Sequence, residues 1–333
     1  MRISQMKHVL AIVEHGTFSQ AAKKLFISQP SLSESIINLE KSLGVVLFDR
    51  SSSPVRLTPA GELYARTAAR IIDLGQDLQR ELSDVGDKPQ GRLSVGSSQF
   101  VTAYIMPHIL TSLQNKFPDI QVTLVESLGR EREEATLKGA IDLFFTTSFD
   151  RSEQLEYVTA MQERILLALP PNHPFNSPEA RERQEQVILP AIKQSPYPLA
   201  ALPADRDFPH LELARLRNEG FVMLRPNLTL HKLAVEMCRQ CGFTPNILLE
   251  SQSIDATRSM AIAGLGNSFI PETLVRYSDY YRHPIYYQID PFLPARTLEI
   301  AFRRNRYRSR AMQEFIRTTH EVLSAPVVSL QSI

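Results

Sequence analysis

The chain has 333 residues, 43 per cent hydrophobic and 22 per cent charged, a globular composition that at this length calls for two or three domains. Its formal net charge of +1 excludes a polycationic protein, so any grip on nucleic acid has to come from a local basic surface. Two cysteines exclude a disulfide framework and fit a reducing cytoplasm. No run approaches 18 apolar residues, and the N-terminus lacks a long apolar leader core and a small-residue cleavage site. The expectation is a cytoplasmic protein with no membrane partner.

In chain order, Ile3, Met6, Val9, Leu10 and Val13 fall on one face of a helix over 1–16. Thr17 and Ser19 are both possible caps for the next, short helix, whose inner face is Ala21, Ala22 and Leu25. Ser28 can cap a second helix, with Pro30 harmless in a first turn whose N–H groups lack partners. Leu32, Ile36, Leu39 and Leu43 line its buried face. Two short helices joined by three or four residues predict a helix-turn-helix, and the outer face of the second carries Gln29, Ser33, Ile37, Asn38 and Lys41. An apolar strand over 45–48, a polar tip over 49–54 and a return strand over 55–57 predict a wing bearing Arg50 and Arg56. Residues 1–60 hold seven Lys and Arg against four Asp and Glu, a modest local excess of +3 by subtraction.

Thr58-Pro59-Ala60-Gly61-Glu62 is a helix start: a Thr cap, Pro at the first position and an acid in the first turn. The helix runs to about residue 86, and Tyr64, Ala68, Ile71, Gly75, Leu78, Leu82 and Val85 alternate steps of four and three. That is a heptad seam for a partner helix, with Gly75 allowing close approach. After linker residues 86–91, strands and helices alternate, which predicts a mainly parallel α/β sheet. Strands are expected at 92–95, 120–126, 142–146, 165–169, 221–224, 246–250, 268–270, 285–288 and 298–302. A crossover begins at 157–158, and helices are expected at 101–117, 132–138, 228–241, 253–263 and 310–323. The proline-bearing stretch 176–209 has no clear pattern, and the last ten residues read as frayed.

The stretch AAKKLFISQPSLSESIINLEKSLGVVLFDR…VRLTPAG, with fainter echoes in KFPDIQVTLVE, LPPNHPF and ILLE…MAIAGLGNSFIPE, resembles the LysR-type transcriptional regulator family over nearly the whole chain. The resemblance implies a winged helix-turn-helix over 1–58 and a linker and dimerisation helix over 59–88. It further implies two α/β subdomains of periplasmic-binding-protein type, the first formed by 91–169 with 270–323 and the second by 170–269. It also implies double-stranded promoter DNA with dyad half-sites, RNA polymerase, a homodimer and homotetramer, and a small-molecule effector as partners. No cofactor and no enzymatic activity are expected. Three departures stand out: Glu34 where the family carries a basic or amide residue, Ser51-Ser52-Ser53 where the wing tip is often cationic, and the length of 176–209.

By position on the recognition helix, Gln29, Ser31, Ser33, Ile37 and Asn38 are candidates for base edges. Ser28, Lys41, Arg50, Arg56 and Thr58 are candidates at the phosphates, and Pro30 belongs to the same DNA-binding surface. Ligands of open α/β sheets sit beyond the carboxyl ends of strands. That rule selects Ser97, Ser98, Gln99, Phe100, Ser127, Gly129, Thr146 and Thr147 from one half. From the other it selects Pro226, Asn227, Thr229, Ser253 and Asn267. Ser97, Ser98 and Thr229 precede or open helices, which favours an anionic group; each hydroxyl read singly is also an ordinary helix cap.

Other motifs read as structure. Cys238-Arg239-Gln240-Cys241 lacks a second ligand pair for zinc and fits helix packing. Gly264-Leu265-Gly266 lacks the third glycine of a dinucleotide fingerprint, and the basic run from Arg303 to Arg310 reads as a solvated loop. A competing reading is a small-solute-binding protein without DNA binding, against which the missing leader counts. An α/β enzyme would need a nucleophile–base pair or a metal cluster, and the sequence offers neither.

Overall fold

The computed structural model describes residues 2–51, 54–86, 89–190, 208–278, 281–291 and 295–323. Expectations on Ser52, Ser53, the linker residues Asp87 and Lys88, most of the proline-bearing stretch (191–207) and the last ten residues lie outside them. The chain divides into two compact units, Met1–Gly86 and Asp87–Ile333.

In the first unit, α1 (Ile3–His15), α2 (Phe18–Lys24) and α3 (Gln29–Leu43) enclose a core of Val9, Ile12, Ala22, Leu32, Ile36 and Leu39, all nearly solvent-free. Each buried aliphatic side chain contributes roughly 1.5–3 kcal/mol. Thr17 rather than Ser19 caps α2, its Oγ1 accepting from Gln20 N at 3.2 Å, and Ser28 Oγ accepts from Ser31 N at 3.2 Å. Phe26 takes a left-handed φ of 55° in the turn between α2 and α3. The wing pairs β1 (Phe48–Asp49) with β2 (Arg56–Leu57), Phe48 opposite Leu57. The strand expected from residue 45 is shorter than that. Val45 and Val46 are exposed, because the Glu40 carboxylate rather than a neighbouring strand takes Leu47 N–H at 2.8 Å.

Helix α4 (Pro59–Ser83) starts at Thr58, whose Oγ1 accepts from Gly61 N at 3.0 Å. Its seam divides. Tyr64 and Ala65 pack into the three-helix core and Ala68 is buried, so the first half of the heptad pattern is used within the chain itself. Leu74, Leu78, Leu82 and Val85 are 55–79 per cent exposed. The unpartnered stripe is therefore shorter than the sequence suggests, and it lies beyond the reach of α1.

In the second unit β3 (Gly91–Ser97) lies parallel to β4 (Ile120–Glu126) and β5 (Leu143–Thr146). The helix expected over 101–117 is broken into α5 (Gln99–Tyr104) and α6 (Met106–Lys116). Pro107 is the cause: its ring would clash with the Ala103 carbonyl one turn earlier. α7 (Gly129–Leu137) starts three residues before expectation. The two segments expected at 157–158 and 165–169 are one strand, β6 (Leu155–Leu169), fifteen residues long. Its first part pairs antiparallel with β12 (Ala295–Arg303), from Leu155↔Arg303 to Arg164↔Ala295. Its last five residues pair antiparallel with β10 (Ser268–Pro271) and β11 (Ile285–Asp290).

The sheet order is β4-β3-β5-β12-β6-β11-β7, with β10 also on β6. It is mixed, not mainly parallel. Near-continuous apolar strands look alike in either direction, and only β6 running back between β12 and β11 decides the matter. The stretch 176–209 contributes α8 (Pro178–Arg183), continued by a wider π turn over Gln184–Ile188. The short strand β7 (His210–Glu212), missed from sequence, runs parallel to β11. β8 (Gly220–Leu224) and β9 (Asn246–Ser251) form a parallel pair, flanked by α9 (Thr229–Gln240) and α10 (Ile254–Ile262). α11 (Glu272–Tyr277), also missed, follows β10, and α12 (Arg310–Leu323) closes the described chain. Cys238 is fully buried on α9 and burial pushes its thiol up to about 12, which makes the CxxC a packing element and not a nucleophile. No helix among the described residues is long and apolar enough to cross a membrane.

Candidate functional site

On α3 the face opposite the core presents Gln29, Pro30, Ser31, Ile37, Asn38 and Lys41 to solvent, with Ser33 half-buried among them. Glu34 is exposed on this face too, so it does not turn inward. The cations beside it are fewer than the sequence suggests. Arg50 is held by Glu40 at 3.1 Å and lies over the Phe18 ring at 5.1 Å, because Glu40 already anchors the strand that leads to the wing. Thr58 spends its single O–H on Val46 O at 2.7 Å and has no donor left for a phosphate. Lys41 and Arg56 are exposed. Ser28 keeps its hydroxyl proton, since its Oγ is the acceptor of the cap.

In the second unit the loops after β3, β4 and β5 come together, because those strands are adjacent and parallel. Ser97 is buried, its hydroxyl 2.6 Å from that of Thr102. Ser98 caps α5 by accepting from Val101 N, Gln99 is exposed and Phe100 is nearly buried. Ser127 N donates to Ser97 O at 3.3 Å, tying the β3 and β4 loops, and Thr146 Oγ1 accepts from Ser148 N at 3.1 Å. Thr147 is half-buried, and Gly129 opens α7 at the surface. These hydroxyls therefore serve both the local turns and the mouth of the sheet.

From the β8–α10 region, Ser253 caps α10, while Pro226 and Asn227 are exposed and Thr229 begins α9. Asn267 differs from expectation. It is 1 per cent exposed, its Nδ2 donates to Gly220 O, and its backbone stitches β8 to the approach of β10. Its Oδ1 is buried without a hydrogen-bond partner among the described residues.

Residues missed from sequence give the region its charge and its closure. Arg132 on α7 is buried, donates to Ser127 O, and has its pKa lowered to about 10 by burial, so it remains a cation at neutral pH. Its Nη2 lies 3.8 Å from where a Cβ on Gly129 would stand. Tyr104 at the end of α5 donates to Asp255 of α10, linking the two helices across 151 residues of chain. The guanidinium of Arg296 lies 5.3 Å from the Phe100 ring and donates to the Glu163 carboxylate. Sequence periodicity marks none of these. Their side chains are polar on faces that read as solvated, and only the crossing of strands turns them inward.

The geometry agrees with what the chain is similar to. Residues 3–62 match the model of the bacterial regulatory helix-turn-helix protein, lysR family, and residues 86–324 match the LysR substrate binding domain. The uncharacterized HTH-type transcriptional regulator YcgK of Bacillus subtilis is 30 per cent identical over 97 per cent of this chain and 95 per cent of its own length. Among solved structures, a full-length OxyR variant from Pseudomonas aeruginosa has a TM-score of 0.65 at 21 per cent identity, covering 96 per cent of this chain and 98 per cent of that one. Full-length CbnR in complex with its target DNA has a TM-score of 0.57 at 21 per cent identity, covering 97 and 100 per cent. At those identities the structures speak for the fold, and the family models carry the assignment. With one model matched on each unit, the chain belongs to the LysR family: it is a transcriptional regulator, not an enzyme, with a DNA-binding helix-turn-helix and an effector-binding α/β domain.

Proposed function

We propose that the solvent face of α3 reads operator bases through Gln29, Ser31, Ser33, Ile37 and Asn38, with Ser28, Lys41, Arg50 and Arg56 at the phosphates. The observation that carries this reading is the exposure of that face over a helix whose other side is locked into the core. Each neutralised phosphate contributes a slope of about −0.9 in log affinity against log salt. With Arg50 shared with Glu40, one unit offers few cations and binds weakly. Two units reading half-sites one helical turn apart, or a multiple of it, would supply the affinity. A gel shift with promoter fragments, the chain's own upstream region included, tests the reading; no salt-sensitive preference for any fragment overturns it.

Glu34 sets the first quantitative expectation. Replacing it by Gln removes a carboxylate from the DNA-facing surface, so Glu34→Gln binds DNA about three- to tenfold more tightly at ~0.1 M salt. Fluorescence anisotropy on one duplex measures this. Weaker binding of the variant, restricted to sites with a cytosine at one position, would mean instead that the carboxylate accepts from a base amine.

The exposed stripe Leu74, Leu78, Leu82 and Val85 pairs two chains in this reading, giving a homodimer whose further association would make a tetramer. Leu78→Asp places a charge in that seam and shifts sedimentation from dimer to monomer; an unchanged dimer excludes the stripe. Arg132, Ser98, Thr146 and Thr147 would receive the anionic part of an effector at the mouth of the parallel strands. One lobe would comprise β3–β5, the first part of β6 and β12, and the other the end of β6 through β11. Closure of the lobes about β6 would then alter the spacing of the DNA-reading units, a population shift between conformations.

A further inference from the structure

The wing carries two cations, Arg50 and Arg56, and the acids beside them match both. Asp49 lies opposite Arg56 across β1 and β2. Its carboxyl accepts from Ser51 Oγ at 2.6 Å and Ser51 N at 2.9 Å, which holds it below the usual carboxylate range. Glu40 on α3 faces Arg50. A wing balanced in this way attracts the phosphate backbone only weakly from a distance.

The two acids differ in what they hold. Glu40 uses both oxygens: Oε1 accepts from Leu47 N at 2.8 Å and Phe48 N at 3.3 Å, and Oε2 pairs with Arg50 Nη2 at 3.1 Å. The Glu40 side chain is 12 per cent exposed and that of Arg50 40 per cent. The carboxylate is therefore covered while the guanidinium still reaches solvent. That guanidinium also lies 5.1 Å from the Phe18 ring, which is set edge-on against Phe48 at 5.7 Å. Of the five N–H donors of an arginine, Glu40 takes one, and no other acceptor among the described residues takes the rest. Held this way, Arg50 has given up its rotamer freedom before any phosphate arrives. The adjoining carboxylate meanwhile repels a phosphate that comes in without the geometry of the fork.

We propose, on the footing that α3 and the wing meet DNA as described, that Glu40 is a positioning residue for specificity. It makes the contact of Arg50 with a phosphate conditional on a seated recognition helix, and so sets the margin between operator and random sequence. Because Glu40 belongs to α3, the fork that it aims moves with that helix. When α3 enters the groove, a phosphate meets the remaining N–H donors and Arg50 adds one neutralised contact. On random sequence α3 is not seated, the ion pair stays closed, and Arg50 adds little.

Fluorescence anisotropy over a salt series tests this with the full-length protein. The probes are the fragment preferred in the gel shift and a duplex of the same bases in shuffled order. Glu40→Gln keeps an acceptor for the Leu47 and Phe48 N–H groups but loses the ion pair. It should bind the shuffled duplex about five- to tenfold more tightly at ~0.1 M salt, with a slope steeper by about 0.9 per chain. The preferred fragment gains less, so the ratio of the two affinities falls at least about threefold. Asp49→Asn removes the same charge from the same wing without releasing Arg50; it tightens both duplexes alike and keeps the ratio. Arg50→Gln leaves the backbone anchors of the wing in place. Its slope on the preferred fragment is shallower by about 0.9 per chain, and on the shuffled duplex by less than half of that.

Three results overturn the proposal while the reading of α3 stands: a ratio that Glu40→Gln preserves, a fall of equal size in Asp49→Asn, or an unchanged slope for Arg50→Gln on the preferred fragment. The first would make Glu40 a plain repulsive charge. Should Glu40→Gln melt well below the parent, the Arg50→Gln slopes decide alone. The absence of any preferred fragment overturns the reading of α3, and the role of Glu40 with it.

Discussion

Gly61→Ala is expected to unfold the helix-turn-helix unit under conditions where the parent chain is fully folded. A Cβ on Gly61 would stand 2.0 Å from Leu47 O and 2.9 Å from Leu57 Cδ2. Leu57 can rotate; Leu47 O cannot withdraw. It accepts from Thr58 N at 3.0 Å, and the Leu47 N–H is held by Glu40. Making room means lifting α4 off the wing, which breaks the Thr58 cap and uncovers Leu47 and Phe48. Overpacking costs about 1–3 kcal/mol where side chains can shift. Here the obstacle is pinned backbone, and the loss should exceed 3 kcal/mol, well beyond the ~1 kcal/mol that Ala gains over Gly as a helix former.

Gly75 on the same helix is the control. A Cβ there meets nothing within 4 Å, so Gly75→Ala should stabilise the isolated chain by up to ~1 kcal/mol. Opposite signs at the two glycines in urea unfolding support the local cause; a Gly61→Ala variant as stable as the parent removes it. If Gly75→Ala raises chain stability yet weakens dimerisation, the partner backbone approaches at Gly75.

The helix-turn-helix was legible from sequence because every signal there is local. Leu32, Ile36 and Leu39 repeat at helical spacing, and Ser28 and Thr58 stand at caps that use their own side chains. Pro107 breaks α5 from α6, but the apolar pattern runs through it, and the reading of 101–117 as one helix passes over that local signal. The sheet was less legible. A fifteen-residue strand that changes partners near its end has no signature in a window, and the polar Glu163 and Arg164 fall between the crossover read at 157–158 and the strand read at 165–169. The candidate cleft divides in the same way. Its serines and threonines follow from strand ends, but Arg132, Tyr104, Asp255 and Arg296 owe their positions to contacts across 5 to 151 residues of chain or across the sheet. Asn267, a polar residue beside a strand end, is buried and joins two strands through its backbone and its Nδ2, which no sequence window shows.

The handover in β6 carries the other large expectation. Glu163 and Arg296 face each other across β6 and β12, two residues before β6 passes to β10 at Ile165. Both are buried, and the Glu163 carboxylate accepts from Arg296 Nε and from Thr273 Oγ1 of α11. Three elements meet in one ion pair. Removing one partner from a buried pair leaves an uncompensated charge and typically costs 3–5 kcal/mol, whereas replacing both with apolar groups is often neutral. Glu163→Leu should therefore lower the stability of the Asp87–Ile333 unit by about 3–5 kcal/mol, and Glu163→Leu with Arg296→Met should recover most of the loss. If the lobes close about β6, the double variant also separates stability from switching. It melts like the parent, yet without the ion pair at the handover its DNA affinity responds differently to effector. A single Glu163→Leu variant within ~1 kcal/mol of the parent would show that water already compensates the pair, and the handover would then be held by its strand hydrogen bonds alone.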